Sequence, residues 1–334
     1  MLEIRKIILI ISKKDIDSFN YLFFVFYGII CTCLGGEGMS AARALCEAAG
    51  FDTERFILKS FNYYKNNRNN NDNAFGFEKL VDQLIYVYYE LNYKEIHFNN
   101  MKQSFVEKYV TNETSLEGIN YLTKHGREEL IGLAKMYEYM HSDNIEDRFD
   151  IFSIKDLHEK LFSCTPHPEF GGNFRREFAR LSDSKVNICD WSEIYYRLRD
   201  LDQEVCDLRE LAPEIKDLRD PKLLLMYLDR CVELNCKLIK VHPFADGNGR
   251  TVRCFINKLM EDAGLPSVYI KVEERDEYLK CMDKAMEKED YSDIKQFYRY
   301  KVCDSIVELD IIERLKHAED TNGTGIKKGH RKNR

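Results

Sequence analysis

The chain has 334 residues, 44% of them apolar, so it can build one large domain or two modest ones around a sizeable core. Its formal charge of −7 points away from a nucleic-acid binder. Only 6 prolines and 17 glycines argue against a sandwich of many short strands and tight turns. Eleven scattered cysteines, with no CxxC pair, read as reduced thiols and offer no zinc spacing.

From the N-terminus, Tyr21 to Gly36 (YLFFVFYGIICTCLGG) is an apolar run shorter than the roughly 20 residues that span a bilayer. It reads as a buried helix, a signal-peptide core or an anchor, or as residues upstream of a true start at Met39. A cytoplasmic location is expected, with membrane or secretory association through residues 21–36 as the alternative. The sequon at Asn112 would matter only in a secreted chain. Residues 40–61 form an amphipathic helical pattern, and Asn62 to Gly76 (NYYKNNRNNNDNAFG) is a polar linker or surface loop.

From Phe77 helical spacing dominates, with Leu80, Leu84, Val87 and Tyr88 on one face of the first segment. The stretch from Asn112 to Asn144 predicts a short helix, a turn at Gly126 and a longer helix. Ile154 to Cys164 is a further helix, and Pro221 opens a long one running up to His242. After a glycine loop, NGRTVRCFINKLMEDAGLP is a helix closed by Gly264 and Pro266. Helices around Asp276–Met286 and Asp290–Leu309 follow, then a basic tail. Phe170 to Trp191 breaks the pattern: two alternating runs around Asp183-Ser184 predict a β-hairpin. The fold class is therefore mainly α, a helical core with one small hairpin.

HPFADGNGR, His242 to Arg250, concentrates the chemistry. A glycine-rich turn into a helix N-terminus turns free N–H groups and the positive dipole end outward, which favours phosphate. Gly247 and Gly249 let a phosphate approach, with Asn248 between them. Arg250 and Arg253 share a helix face and suit a polyphosphate. Asp246 is a hard oxygen ligand for Mg²⁺, and His242 is a base for a hydroxyl attacking phosphorus. The alternative, a helix–loop–helix corner with surface charges, needs none of these parts together. HPEFGGNFRR (His167 to Arg176) has a similar composition but lacks the acid-Gly-Asn-Gly order, so it is not a second site.

His242 to Arg250, with Arg253, resembles the signature of the Fic family, and Leu157-His158 and Gly172-Asn173-Phe174-Arg175 resemble its flanking segments. The resemblance covers residues 150–310 and implies a Fic-type helical core with a hairpin flap over Arg180 to Asn187. It implies transfer of AMP from ATP to a Ser, Thr or Tyr hydroxyl of a target protein. His242 would be the general base and Asp246 the Mg²⁺ ligand. Gly247, Asn248, Gly249 and Arg250 would hold phosphates, and Arg253 would meet the γ-phosphate. Many such proteins pair, so a homodimer is an expectation from the resemblance alone. Transfer of UMP or phosphocholine on the same fold, or a non-enzymatic phosphate-binding adaptor, are the alternatives.

Many members of the family also carry an inhibitory helix with Ser or Thr, three residues, then Glu-Gly or Glu-Asn. Glu117-Gly118 resembles its end, although Glu113 stands where Ser or Thr is usual and Ile119 follows Gly118. The resemblance implies that Glu117 pairs with Arg253 and restrains the enzyme, and that it assists removal of AMP in some members. The domain reading that follows is 1–76 variable, 77–145 a helical lobe with the brake, 146–315 the core and 316–334 a basic tail.

Overall fold

The computed structural model describes residues 103–146, 149–181, 184–218 and 221–308, together with residues 64–68, 78, 81–82 and 84–85. The apolar run at 21–36, the helix expected at 40–61, most of the polar linker, much of the 77–95 segment and the basic tail lie outside the described residues. No described helix is long and apolar enough to cross a membrane.

Among the described residues from 103 onward, the helices are α1 (Gln103–Leu116), α2 (Lys124–Met140), α3 (Asp143–Glu146), α4 (Ser153–Phe162), α5 (Ile194–Leu218), α6 (Pro221–Val241), α7 (Asn248–Asp262), α8 (Arg275–Lys288) and α9 (Ser292–Glu308). Pro221 opens α6, as its pre-set φ allows at a first helical position. Gly264, at φ +87°, ends the chain reversal behind α7.

α7 is the axis of the core and packs against α2, α4, α5 and α6. Nearly every one of its residues is buried, including Arg250, Arg253, Lys258 and Glu261. Buried charge is tolerated only when paired, and each of these four is. Arg250 meets Glu129, Arg253 meets Glu113 and Glu117, Lys258 meets Asp262, and Glu261 meets His141. α2 and α4 touch at Gly132, where a Cβ would lie 1.9 Å from the Leu161 carbonyl oxygen. Any larger residue there would push the two helices apart.

Residues 98–302 cluster as a compact unit that contains both α1–α2 and the glycine loop. Residues 1–97 with 303–334 form a second unit. Within that one, Tyr64 donates to Asp304 at 2.8 Å and the Cys303 thiol to the Val81 carbonyl at 3.5 Å. The described cysteines are all free.

One expectation is corrected, and one lies partly outside the described residues. Gly126 is not a turn residue: the chain turns over residues 117–123, and Gly126 lies in the first turn of α2, where Thr123 caps its N–H at 3.0 Å. It is glycine because a Cβ would stand 2.0 Å from the Asn120 oxygen. The hairpin expected over Phe170–Trp191 is not shown: no strand pairing joins its arms among the described residues, and residues 182–183, at its expected turn, lie outside them. Its two arms bond elsewhere. The Arg175 N–H donates to the Pro243 oxygen and the Cys189 N–H to the Lys240 oxygen, so both arms lie along the end of α6.

Candidate active site

The site is the junction of α6 and α7, and the loop between them is fixed from below. His158 of α4 is almost fully buried and uses both ring nitrogens. Nδ1 accepts from the Gly172 N–H at 3.0 Å, so Nε2 carries the proton and donates to the Asp246 carbonyl at 3.0 Å. Its ring lies flat on Phe244, with centroids 3.7 Å apart. Burial lowers its pKa to about 4, which keeps it neutral. Asn248 pins the same loop: its side-chain oxygen accepts from the Phe244 N–H at 2.9 Å and its Nδ2 donates to the Phe244 oxygen at 2.8 Å.

Gly247 enters α7 in the left-handed region at φ +71°, and a Cβ there would meet Phe162 at 2.8 Å and Leu161 at 3.0 Å. No side chain caps α7, so its first N–H groups and the positive dipole end suit an anion. The Asp246 carboxylate accepts from the Gly247 N–H at 2.7 Å, yet the side chain is 70% exposed. It keeps oxygen capacity facing solvent.

His242 stands at φ +50°, a strained conformation for a residue with a Cβ. Arg175 supports it: Nε donates to the His242 carbonyl at 2.7 Å and Nη2 to the Cys189 carbonyl at 2.6 Å. Burial, with the nearby Arg175 charge, lowers the imidazole pKa to about 4. The ring is neutral at pH 7 and able to accept a proton.

The arginines are held by carboxylates from α1 and α2. Arg250 is fully buried, and its Nη1 donates to Glu129 at 2.5 Å. Its Nε and Nη2 have no hydrogen-bond partner. Arg253 donates through Nε to Glu113 and through Nη2 to Glu117, each at 2.7 Å. The Glu117 oxygen lies only 2.6 Å from where a Cβ of Gly249 would stand. Burial opposes ionisation of Glu117, but Arg253 and then Arg250 hold its pKa below the ordinary carboxylate value. Glu113 is fully buried, and burial raises its pKa against the pull of Arg253.

Glu117 is placed by the way α1 ends. The Gly118 N–H bonds to the Ser115 oxygen at 2.9 Å and the Ile119 N–H to the Thr114 oxygen at 3.3 Å, with Gly118 at φ +74°. That is a Schellman termination with Glu117 as its last helical neighbour. Arg275 adds a bond to the Leu116 carbonyl at 3.1 Å. Only glycine meets the left-handed position cheaply, so Gly118 fixes where Glu117 points.

The residues read from the sequence thus converge: His242, Asp246, Gly247, Asn248, Gly249, Arg250 and Arg253 share one loop and helix turn, and Glu117 reaches them from α1. Four further residues, Glu113, Glu129, His158 and Arg175, complete the site. The last two sit in segments already singled out by motif. Glu113 and Glu129 pair with arginines 140 and 121 residues away, and no spacing rule reports such a contact.

Residues 148–260 match the family model described as the Fic/DOC family. The chain carries a Fic domain. Its curated relatives include protein adenylyltransferase Fic of Nematostella vectensis, 25% identical over 207 residues, or 61% of this chain and 43% of the relative. Protein adenylyltransferase fic-1 of Caenorhabditis elegans is 40% identical over 73 residues, 22% of this chain and 14% of the relative. The chain thus spans less than half the length of these relatives. Among solved structures, C. elegans Fic-1 aligns with a TM-score of 0.52 at 20% identity, covering 81% of this chain and 86% of that one. A Fic-domain-containing signaling protein from Bacteroides thetaiotaomicron aligns at 0.56 and 15% identity, covering 71% of this chain and 98% of that one. At these identities the likeness establishes the mainly helical Fic fold.

Proposed function

We propose that this Fic-domain protein transfers AMP from ATP to a Ser, Thr or Tyr hydroxyl of a target protein and is restrained by Glu117. The observation that carries the reading is a carboxylate held where the loop's geometry suits an anion. The Glu117 carboxylate rests over Gly249 at an uncapped helix N-terminus, paired with Arg253, beside Arg250, whose Nε and Nη2 make no hydrogen bond and whose Nη2 lies 3.9 Å from Asp246. The relatives named adenylyltransferases support the donor and the reaction class.

In this reading the α7 N-terminus (Gly247, Asn248, Gly249) and Arg250 hold the α- and β-phosphates, and Arg253 takes the γ-phosphate once Glu117 withdraws. The target hydroxyl oxygen attacks the α-phosphorus while His242 takes its proton, and the bond to pyrophosphate breaks. Asp246 fits Mg²⁺: it is an exposed carboxylate with free oxygen capacity. Such an ion would be held by Asp246 with substrate oxygens and water, and when bound it neutralises phosphate charge. Residues 180–187 take the target backbone by strand addition. With Glu117 in place, ATP meets a competitor at Arg253, and a misplaced α-phosphate of about 1 Å costs on the order of 10²-fold in rate.

The test uses α-labelled ATP with Mg²⁺ and the wild-type, Glu117→Gly and His242→Ala proteins. Label on Glu117→Gly, little on wild type and none on His242→Ala is the expected pattern. Label absent from all three, with ATP still bound, would move the reading to another donor such as UMP or phosphocholine, or to a phosphate-binding adaptor. Release of AMP from a modified target, measured with and without Glu117, tests the reverse reaction.

A further inference from the structure

Arg253 is held by two carboxylates of one helix, a turn apart, and the two are not equivalent. Glu117 sits at the end of α1 next to Gly118, and its side chain is 35% exposed. A rotation within that last turn can remove it. Glu113 lies inside the helix and is fully buried. It cannot leave Arg253 without withdrawal of α1 or an uncompensated buried charge.

They also take different parts of the guanidinium. Glu113 occupies Nε, and Glu117 occupies Nη2. Nη1 faces Gly249, 2.8 Å from the position of an added Cβ. Loss of Glu117 therefore frees the Nη1 and Nη2 end of the group while Nε stays anchored. The ring of Tyr278 lies 5.9 Å below and limits the remaining freedom.

We propose that Glu113 is a positioning residue for nucleotide binding: with Glu117 withdrawn, it keeps the Nε edge of Arg253 and aims the freed Nη groups at the terminal phosphate. This rests on the AMP-transfer reading above. It separates the two acids of α1 by role, since one competes with the nucleotide and the other prepares its partner. A planar guanidinium tied at one edge loses less freedom on gripping a phosphate.

The test takes Glu117→Gly as parent and adds Glu113→Gln, which keeps the shape and removes the charge. Glu113→Asp is the second variant, which keeps the charge but shortens its reach. Affinities for ATP and ADP are measured by calorimetry, with melting temperature and the KM and kcat of self-labelling. Both variants are expected to weaken ATP by about tenfold and ADP by less than about threefold, with the loss in KM rather than kcat. An equal loss for ATP and ADP would mean general damage and overturn the proposal. So would unchanged ATP affinity, or Glu113→Gln alone releasing the wild-type enzyme, which would make Glu113 a second brake. A parent that binds no ATP would sink the AMP-transfer reading and this inference with it. With a parent that binds ATP, any failure of the two variants counts against the role of Glu113 alone.

Discussion

The Glu117 carboxylate rests on the bare backbone of Gly249, 2.6 Å from the position a Cβ would take. In the proposed reading, the Glu117 carboxylate and the phosphate need the same point in space. Gly249 is the third residue of the loop trio and lies within α7, so alanine there is not strained in φ. A methyl would displace the flexible Glu117 side chain yet remain where the phosphate must approach. Gly249→Ala in the Glu117→Gly background should therefore cut the rate of label transfer by on the order of 10²-fold or more. Equal rates with and without the methyl would show that the phosphates pass elsewhere.

Glu129 and Arg250 form an ion pair between α2 and α7, with neither side chain more than 3% exposed. Removing one partner leaves a buried charge unmatched, at a cost of about 3–5 kcal/mol. Glu129→Gln should lower the melting temperature by roughly 6–20 °C at about 2–4 °C per kcal/mol. Replacing the pair with Glu129→Leu and Arg250→Met should recover most of that loss while abolishing nucleotide binding. A calorimetric scan of the three proteins, with an ATP titration of each, checks both statements.

The placement of the loop residues and the run of helices were readable in the sequence, because both are local. Residues 242–253 lie together on one loop and the helix start that follows it, and the helix at 248–262 is opened and closed by its own glycines. What the sequence hid was tertiary. Arg250, Arg253, Lys258 and Glu261 of α7 are all inside, and nothing in the local pattern reports that. Their partners come from α1, α2 and α7 itself, at separations from four to 140 residues. The Phe170–Trp191 stretch alternates like two strands, but Phe178 is 74% exposed and only part of its apolar set is covered. Phe174 packs on Phe244, 5.7 Å between centroids, and the arms bond to α6 instead of each other. Alternation reports a half-buried chain, and does not say what buries it.

His158 and His242 are both held neutral by burial, with pKa values of about 4. The unfolded chain takes up these protons near pH 6.5, and the folded one resists until about 4. The stability they contribute is complete above about pH 6.5 and is lost as pH falls towards 4. For the buried His158 that contribution is on the order of 3 kcal/mol. Denaturant titrations at steps between pH 7 and 4.5 should show stability falling with acid. His158→Asn, less stable at pH 7, should show a shallower fall across the same window. An unchanged slope would mean that the carboxylates alone set the acid limit.

His141 has the opposite sign. Its Nε2 lies 2.8 Å from Glu261 and its Nδ1 lies 2.8 Å from the Tyr137 carbonyl, so both nitrogens face acceptors. Burial disfavours the charge, but the Glu261 contact outweighs it and raises the pKa above the ordinary histidine value. The imidazolium joins the end of α2 to α7, and Ser267 bonds the other oxygen of Glu261. A raised folded pKa gives stability that is complete below about pH 6.5 and is lost as pH rises through the raised value. Melting temperatures at pH 6 and pH 8.5 should therefore differ more for wild type than for His141→Gln, which keeps polar contacts without titrating. If both proteins lose the same amount on going to pH 8.5, the His141–Glu261 pair is not the source of the alkaline loss.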